Sequence, residues 1–260
     1  MVRSAPKWVV WLVALLLTML SPVGAWADRA IVAAASDLQF ALEGVAERFE
    51  AEHGQSVRLN FGSSGNFRRQ IAQGAPFELY LSADEAYVMA LYDEGHTVEA
   101  GVLYALGRLV FMAPADNPAD VVDGSLRPLR ARLEAGELRR IAIANPEHAP
   151  YGVAAREALQ TAGIWDDIKP YLIYGENDSQ AARLALSGEA DGGLVAYSLA
   201  LAPALKQRAS HDLLAADMHA PLRQRMVLTN RAGETARAFY AYMQGEQVRA
   251  ILAEYGFVVP

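Results

Sequence analysis

This sequence predicts an α/β fold of two lobes, and three observations carry that reading. Strand-like apolar runs alternate with helix-like amphipathic stretches almost from end to end. The alternation is interrupted at Pro114-Ala115-Asp116-Asn117-Pro118 and then restarts. The apolar runs are short and continuous, as in Ala30–Ala35, which is how parallel strands buried on both faces read.

The elements follow in order. After the strand Ala30–Ala35, residues 38–52 place Leu38, Leu42, Val45, Ala46 and Phe49 at helical spacing, and Gly54 marks the stop. Residues 57–61 alternate as a strand. Residues 66–72 read as a helix with Phe67 and Ile71 four apart. Leu79–Ser82 is a short strand, Ala83-Asp84-Glu85 opens a helix to about Glu94, and residues 109–113 form another strand. Beyond the break, 126–137 is helical, 140–144 a strand, 153–162 helical, 172–174 extended, 179–187 helical and Gly192–Ala196 extended. A strand at 226–229 and two helices, 235–244 and 246–255, complete the chain, with Gly256 as the last stop signal. The predicted architecture gives each lobe a mostly parallel sheet flanked by helices, with a ligand in the cleft between them. Residues 28–113 with 225–260 form lobe 1, and 114–224 form an inserted lobe 2. Open α/β sheets bind ligands outside the carboxyl ends of their strands.

Residues 1–27 stand apart. Arg3 and Lys7 precede the apolar run WVVWLVALLLTML, and Ala25-Trp26-Ala27 reads as a cleavage site, so the segment is expected to be a cleaved secretory signal peptide. The mature chain, 28–260, then carries 21 basic and 30 acidic residues, since Arg3 and Lys7 leave with the leader. That acidic balance, without a basic run, argues against nucleic acid and anionic membranes. The absence of cysteine removes thiol catalysis, iron–sulfur clusters and cysteine zinc sites.

The chemistry concentrates in short polar turns where strands hand over to helices. These are Ala33-Ala34-Ala35-Ser36-Asp37, Phe61-Gly62-Ser63-Ser64-Gly65-Asn66, Asn145-Pro146-Glu147-His148-Ala149-Pro150-Tyr151-Gly152 and Glu176-Asn177-Asp178-Ser179-Gln180. Helix N-termini expose unpaired N–H groups and partial positive charge, so such turns can hold an anion without Lys or Arg. Each also has a simpler reading. Ser36, Asp37, Asp178 and Ser179 are ordinary cap residues. Gly62-Ser63-Ser64-Gly65 can be a plain loop, and Pro146 and Pro150 can stiffen a connector. Arg68 and Arg69 are expected to be solvated, and His148 structural. Tyr197 can reach a cleft or pack as a core aromatic.

The stretches AAASDLQFAL, NFGSSGNFRRQIAQGAPFELYLSADE, IANPEHAPYGVAAREAL and AFYAYMQGEQVRAILAEYGFVVP resemble the periplasmic molybdate-binding proteins of ABC importers, over essentially the whole mature chain. The resemblance implies a tetrahedral oxyanion held between two lobes by neutral hydroxyls and backbone N–H groups. It carries ligand positions onto Ser36, Ser64, Tyr151 and Asp178, the last two through their backbone N–H. Two positions depart from it. Ala196 falls where some members place a ligating tyrosine, with Tyr197 one residue later. Asp37 stands where others have Leu or Asn, and an ionised Asp cannot donate. A donor-only site selects fully ionised anions such as molybdate, tungstate and sulfate over protonated ones, and cavity size must then exclude sulfate.

The implied protein is a periplasmic, monomeric carrier of molybdate, and of tungstate alike, with an inner-membrane ABC permease as partner. It has no catalytic residue, no cofactor and no protein–metal ligand; the oxyanion is cargo. The alternatives are a carrier of sulfate, another oxyanion or ferric iron, the last using Tyr80, Tyr151 and Tyr197, and a secreted serine hydrolase using Ser64 with a histidine. The Gly-Ser-Ser-Gly turn does not match the G-x-S-x-G elbow such a hydrolase requires.

Overall fold

The computed structural model describes residues 29–116 and 123–260. The signal-peptide reading of 1–27, and Asn117 and Pro118 of the break, lie outside the described residues. From the start the chain runs β1 (Ala30–Ala35), a 3-10 turn (Ser36–Leu38), α1 (Gln39–His53), β2 (Val57–Gly62), α2 (Ser64–Ala72), β3 (Leu79–Ser82), α3 (Glu85–Asp93) and β4 (Val102–Gly107). Next come β5 (Leu109–Pro114), α4 (Arg127–Glu134), β6 (Ile141–Ala144), α5 (Pro150–Thr161), α6 (Trp165–Ile168), a second 3-10 turn (Lys169–Tyr171), β7 (Leu172–Gly175) and α7 (Asp178–Ala185). Then follow β8 (Gly192–Ala196), α8 (Tyr197–Leu201), α9 (Pro203–Lys206), β9 (Ala209–Leu213), β10 (Leu222–Leu228), α10 (Glu234–Tyr242) and α11 (Glu246–Glu254).

Two five-stranded sheets result, in the orders β2-β1-β3-β10-β4 and β7-β6-β8-β5-β9. Both are mixed. β1 is parallel to β2 and β3, and β6 is parallel to β7 and β8. β10 runs antiparallel to β3 and β4, and β5 antiparallel to β8 and β9. The strand–helix–strand units give the parallel half that the sequence predicts. β5 and β10 reverse because each receives the chain from the other sheet, so it starts at the cleft end and runs away from it.

The exchange points differ from the expected boundaries. Residues 109–113, expected to close lobe 1, lie in β5, which pairs with β8 and β9 in the second sheet, so the chain changes sheets at Arg108. On the return, Leu222, Arg223 and Gln224 already pair with β4 in the first sheet. β4 itself escapes the sequence pattern because residues 102–114 form one nearly unbroken apolar run that hides the turn. β9 escapes it because it is a half-exposed, polar strand at the sheet edge.

Packing explains the continuous apolar strands. Val32 and Ala34 of β1 face a core with Leu42, Phe49, Leu81 and Phe239, while Ala33 faces the other side with Phe67, Tyr80 and Val88. Both faces are covered, so β1 needs no polar alternation. The second sheet carries its own core around Phe111, Ile143, Leu159 and Leu194. Among the described residues no helix is long and apolar enough to cross a membrane.

Candidate functional site

The four polar turns converge. Each follows the carboxyl end of a parallel strand, and together they line one enclosed cavity between the two sheets. Its polar lining is Ser36, Asp37, Ser63, Ser64, Tyr151 and Asp178, with small apolar residues between them. The cavity is small, about 10 Å³.

The first wall is the 3-10 turn after β1. Ser36 is buried, and its Oγ accepts the N–H of Ser179 at 3.2 Å. A hydroxyl accepts twice and donates once, so Ser36 retains its proton for a second partner. The second wall is α2. Ser63 caps this helix, its Oγ accepting the Asn66 N–H at 3.4 Å. Helix formation therefore begins at Ser64, two residues before the expected start. Ser64 is fully buried, accepts the Ala83 N–H at 3.0 Å and also keeps its proton. Its carbonyl accepts from the Tyr80 hydroxyl at 2.8 Å, which anchors the turn from beneath.

The third wall is α5, which starts at Pro150 rather than at 153, with Tyr151 in its first turn. Proline supplies the helical φ at a position whose N–H would be unpaired anyway. The fourth is α7, capped by Asn177 through the Gln180 N–H at 3.0 Å, with Asp178 as its first residue. The leading N–H groups of α2, α5 and α7 have no intrahelical acceptor and carry the positive ends of three helix dipoles. With the two serine hydroxyls they make an environment that favours an anion.

Two carboxyl groups complicate a donor-only site. Asp37 lines the cavity, with Oδ2 accepting from Gln224 Nε2 at 2.6 Å and Oδ1 buried without a partner. Burial pushes this carboxyl up to about 6, against hydrogen bonds from Gln224 and Tyr151 that hold it down. Asp178 accepts the Ala196 N–H through Oδ2 at 2.9 Å, and its Oδ1 is likewise buried and unpartnered. Burial drives it well above the usual carboxylate range, and the Asp37 charge adds to that. Burial also raises the Tyr151 phenol well above its usual value, with the Asp37 and Asp178 charges pushing the same way.

Direct hydrogen bonds cross the cleft. Ser179 Oγ donates to the Ser36 carbonyl at 2.9 Å, and Ser198 Oγ donates to the Asp37 carbonyl at 2.7 Å. The Gly65 N–H donates to the His148 carbonyl at 2.9 Å, and Ser63 Oγ lies 2.8 Å from His148 Nδ1. The lobes therefore meet directly around the cavity.

Other sequence candidates sit elsewhere. Tyr197 opens α8, lies tilted against His211 with ring centroids 5.6 Å apart and packs against Gly256 and the edge of the second core, so it is not cavity lining. Tyr80, Tyr151 and Tyr197 do not assemble an iron site, because Tyr80 spends its hydroxyl on Ser64 and Tyr197 faces away. Among the described residues no group of three or more His, Cys, Asp or Glu side chains is placed to hold a metal ion. Arg68 pairs with Glu94 and Arg69 bonds Asn66, both outside the cavity. The hydrolase alternative lacks its geometry. His148 bonds Ser63, not Ser64, and exposed Glu176 lies 3.7 Å from Nε2, beyond hydrogen-bond range. Sequence reasoning placed Ser179 in the fourth turn as a cap and missed Gln224, Tyr104 and Ser198. Ser198 directly follows Tyr197, but Gln224 and Tyr104 carry no local signal.

A family model for bacterial extracellular solute-binding proteins matches residues 30–258. The chain is 34% identical over 248 residues to the molybdate-binding protein ModA of Rhodobacter capsulatus, covering 94% of each. It is 33% identical to ModA of Escherichia coli, covering 98% of this chain and 99% of that one. The solved periplasmic molybdate-binding protein of Azotobacter vinelandii superposes with a TM-score of 0.80 at 31% identity, over 89% of this chain and all of that one. Matched over residues 30–258 by that model and over most of its length by these relatives, the chain belongs to the family of bacterial extracellular solute-binding proteins.

Proposed function

We propose that this protein captures molybdate, and tungstate alike, and delivers it to an ABC importer. The observation that carries the reading is the enclosed cavity between two sheets, lined by hydroxyls and helix N-termini with no Lys or Arg among its lining residues. Ser36 and Ser64 donate through their hydroxyls, and Tyr151 and Asp178 through their backbone N–H groups. Asp37 contributes a carboxyl oxygen to the same wall. The relatives' names supply the oxyanion: the proteins from R. capsulatus, E. coli and A. vinelandii are molybdate-binding.

Hydrogen bonds to a charged group contribute ~1.5–3 kcal/mol each, so a handful of them offsets association costs of 4 kcal/mol or more. The protein works outside the cytoplasm, in the periplasm, after loss of residues 1–27, as a monomer. Its two lobes close on the anion by hinge motion through the strands' exchange at Arg108 and at 214–221. The closed form is then the one that an inner-membrane permease engages, so the cargo acts by shifting a population. It catalyses no reaction.

Isothermal titration of residues 28–260 with sodium molybdate, tungstate, sulfate and phosphate tests this. The expected result is tight one-to-one binding of molybdate and tungstate, with sulfate and phosphate at least about 100-fold weaker, or about 2.7 kcal/mol. Preference for sulfate would keep the fold and overturn the ligand.

A further inference from the structure

We propose that Asp37 and Asp178 bind the oxyanion as neutral carboxylic acids, each donating a proton through Oδ1, so that capture of the anion takes up protons. The inference rests on the oxyanion reading above. The geometry carries it. Both residues line the cavity: Asp178 Oδ2 accepts the Ala196 N–H, Asp37 Oδ2 accepts from Gln224 Nε2 with the Tyr151 hydroxyl against the same carboxyl, and in each the buried Oδ1 has no hydrogen-bond partner. A buried oxygen without a partner, on a residue that lines a space shaped for an anion, is a place for an acid proton that the anion can accept.

The groups facing Asp37 supply no compensating charge. They are Gln224 on β10, Tyr104 on β4, Tyr151 on α5 and Asp178 on α7. Tyr104 donates to Gln224 Oε1 at 2.7 Å, which turns the amide's Nε2 toward Asp37 and the Tyr151 hydroxyl. Asp178 faces the Ala196 N–H and Asp37. His148 and Glu176 stand apart at the cleft, where His148 bonds Ser63. A dianion closed in beside two carboxylates would meet like charge in a low-dielectric space with no cation. One proton on each carboxyl turns a repelling acceptor into a donor and pairs the orphaned oxygen. Burial acts in the same direction, since it favours the neutral acid at both residues. The unloaded, open cleft would solvate both groups and ionise them near neutral pH, so the protons arrive with the anion and leave with it.

The test is calorimetric titration of residues 28–260 with sodium molybdate in buffers of different ionisation enthalpy, between about pH 6 and 8. Uptake of one to two protons per anion is expected, with affinity falling about tenfold per pH unit for each proton taken up. Asp37→Asn should lower the uptake by about one proton and flatten the profile, and Asp178→Asn should do the same for the second. Either variant leaves His148 unchanged, so a change in uptake reports on the carboxyl that was replaced. Molybdate binding with no proton uptake would overturn this inference and leave the carrier reading intact. No heat with molybdate at any pH would overturn the carrier reading itself. Preference for hydrogen phosphate would show the carboxylates ionised and accepting the ligand's proton, and would overturn both.

Discussion

Ser36→Ala is expected to weaken molybdate binding about 100-fold or more, a loss of ~3 kcal/mol. Two losses combine in this one substitution. The hydroxyl proton directed at the anion disappears, and a hydrogen bond to a charged group contributes ~1.5–3 kcal/mol. The Ser179 N–H, which Ser36 Oγ accepts at 3.2 Å across the cleft, is also left buried and unpaired. Ser198→Ala is the comparison. It removes one neutral cross-cleft bond, to the Asp37 carbonyl, and no group that lines the cavity, so about a tenfold loss is the most expected. Titration calorimetry of the two variants checks the order. Equal losses would mean that Ser36 serves closure alone and does not touch the anion.

Gly65→Ala is expected to move stability and binding in opposite directions. Gly65 sits in the first turn of α2, where its N–H reaches the His148 carbonyl. A β-carbon there would lie 2.7 Å from the His148 oxygen, 3.1 Å from its Cα and 3.0 Å from the Tyr87 hydroxyl. The backbone contacts cannot give way like the end of a flexible side chain, so the two walls must separate by several tenths of an ångström. Hydrogen bonds fade steeply with such separation, and affinity should fall at least about tenfold. In the unloaded, open protein the same methyl group meets no opposing lobe and removes a flexible residue from a helix, worth ~0.5–1 kcal/mol of added stability. Thermal unfolding without ligand should therefore occur at an equal or higher temperature, while calorimetry reports weaker binding. A variant that loses stability and binding together would contradict the closure reading of this contact.

The parts of this molecule that local pattern determines were legible in the sequence. Ala30–Ala35, Leu79–Ser82 and Gly192–Ala196 fall where the apolar runs place them, because each strand is buried on both faces and bounded by polar turns. The serine turns were legible for the same reason: Ser36, Ser64 and Asp178 sit where a strand ends and a helix dipole begins. What could not be read depends on distant partners. Nothing within ten residues of Gln224 announces that it meets Asp37, 187 positions away, or that Tyr104 orients it. The directions of β5 and β10 depend on which sheet each joins, and residues 102–114 form one apolar run whether or not the chain changes sheets inside it. Tyr197 shows the limit from the other side. An aromatic after a strand reads as cleft-facing or core-facing until its neighbours, His211 and Gly256, are in place.

The carboxyls matter most for how the site is understood. Hydroxyls and N–H groups alone would make a site indifferent to pH across the neutral range. Asp37 and Asp178 on the same walls link occupancy to protons, because only their neutral forms complete the ring of donors.

The most direct measurement is the anomalous signal of tungsten in crystals of residues 28–260 grown with sodium tungstate. One strong peak is expected inside the cavity, within hydrogen-bond reach of the Ser36 and Ser64 hydroxyls through the anion's oxygens and close to the first turns of α5 and α7. A peak elsewhere on the protein, or none with the cleft in the same closed arrangement, would contradict it.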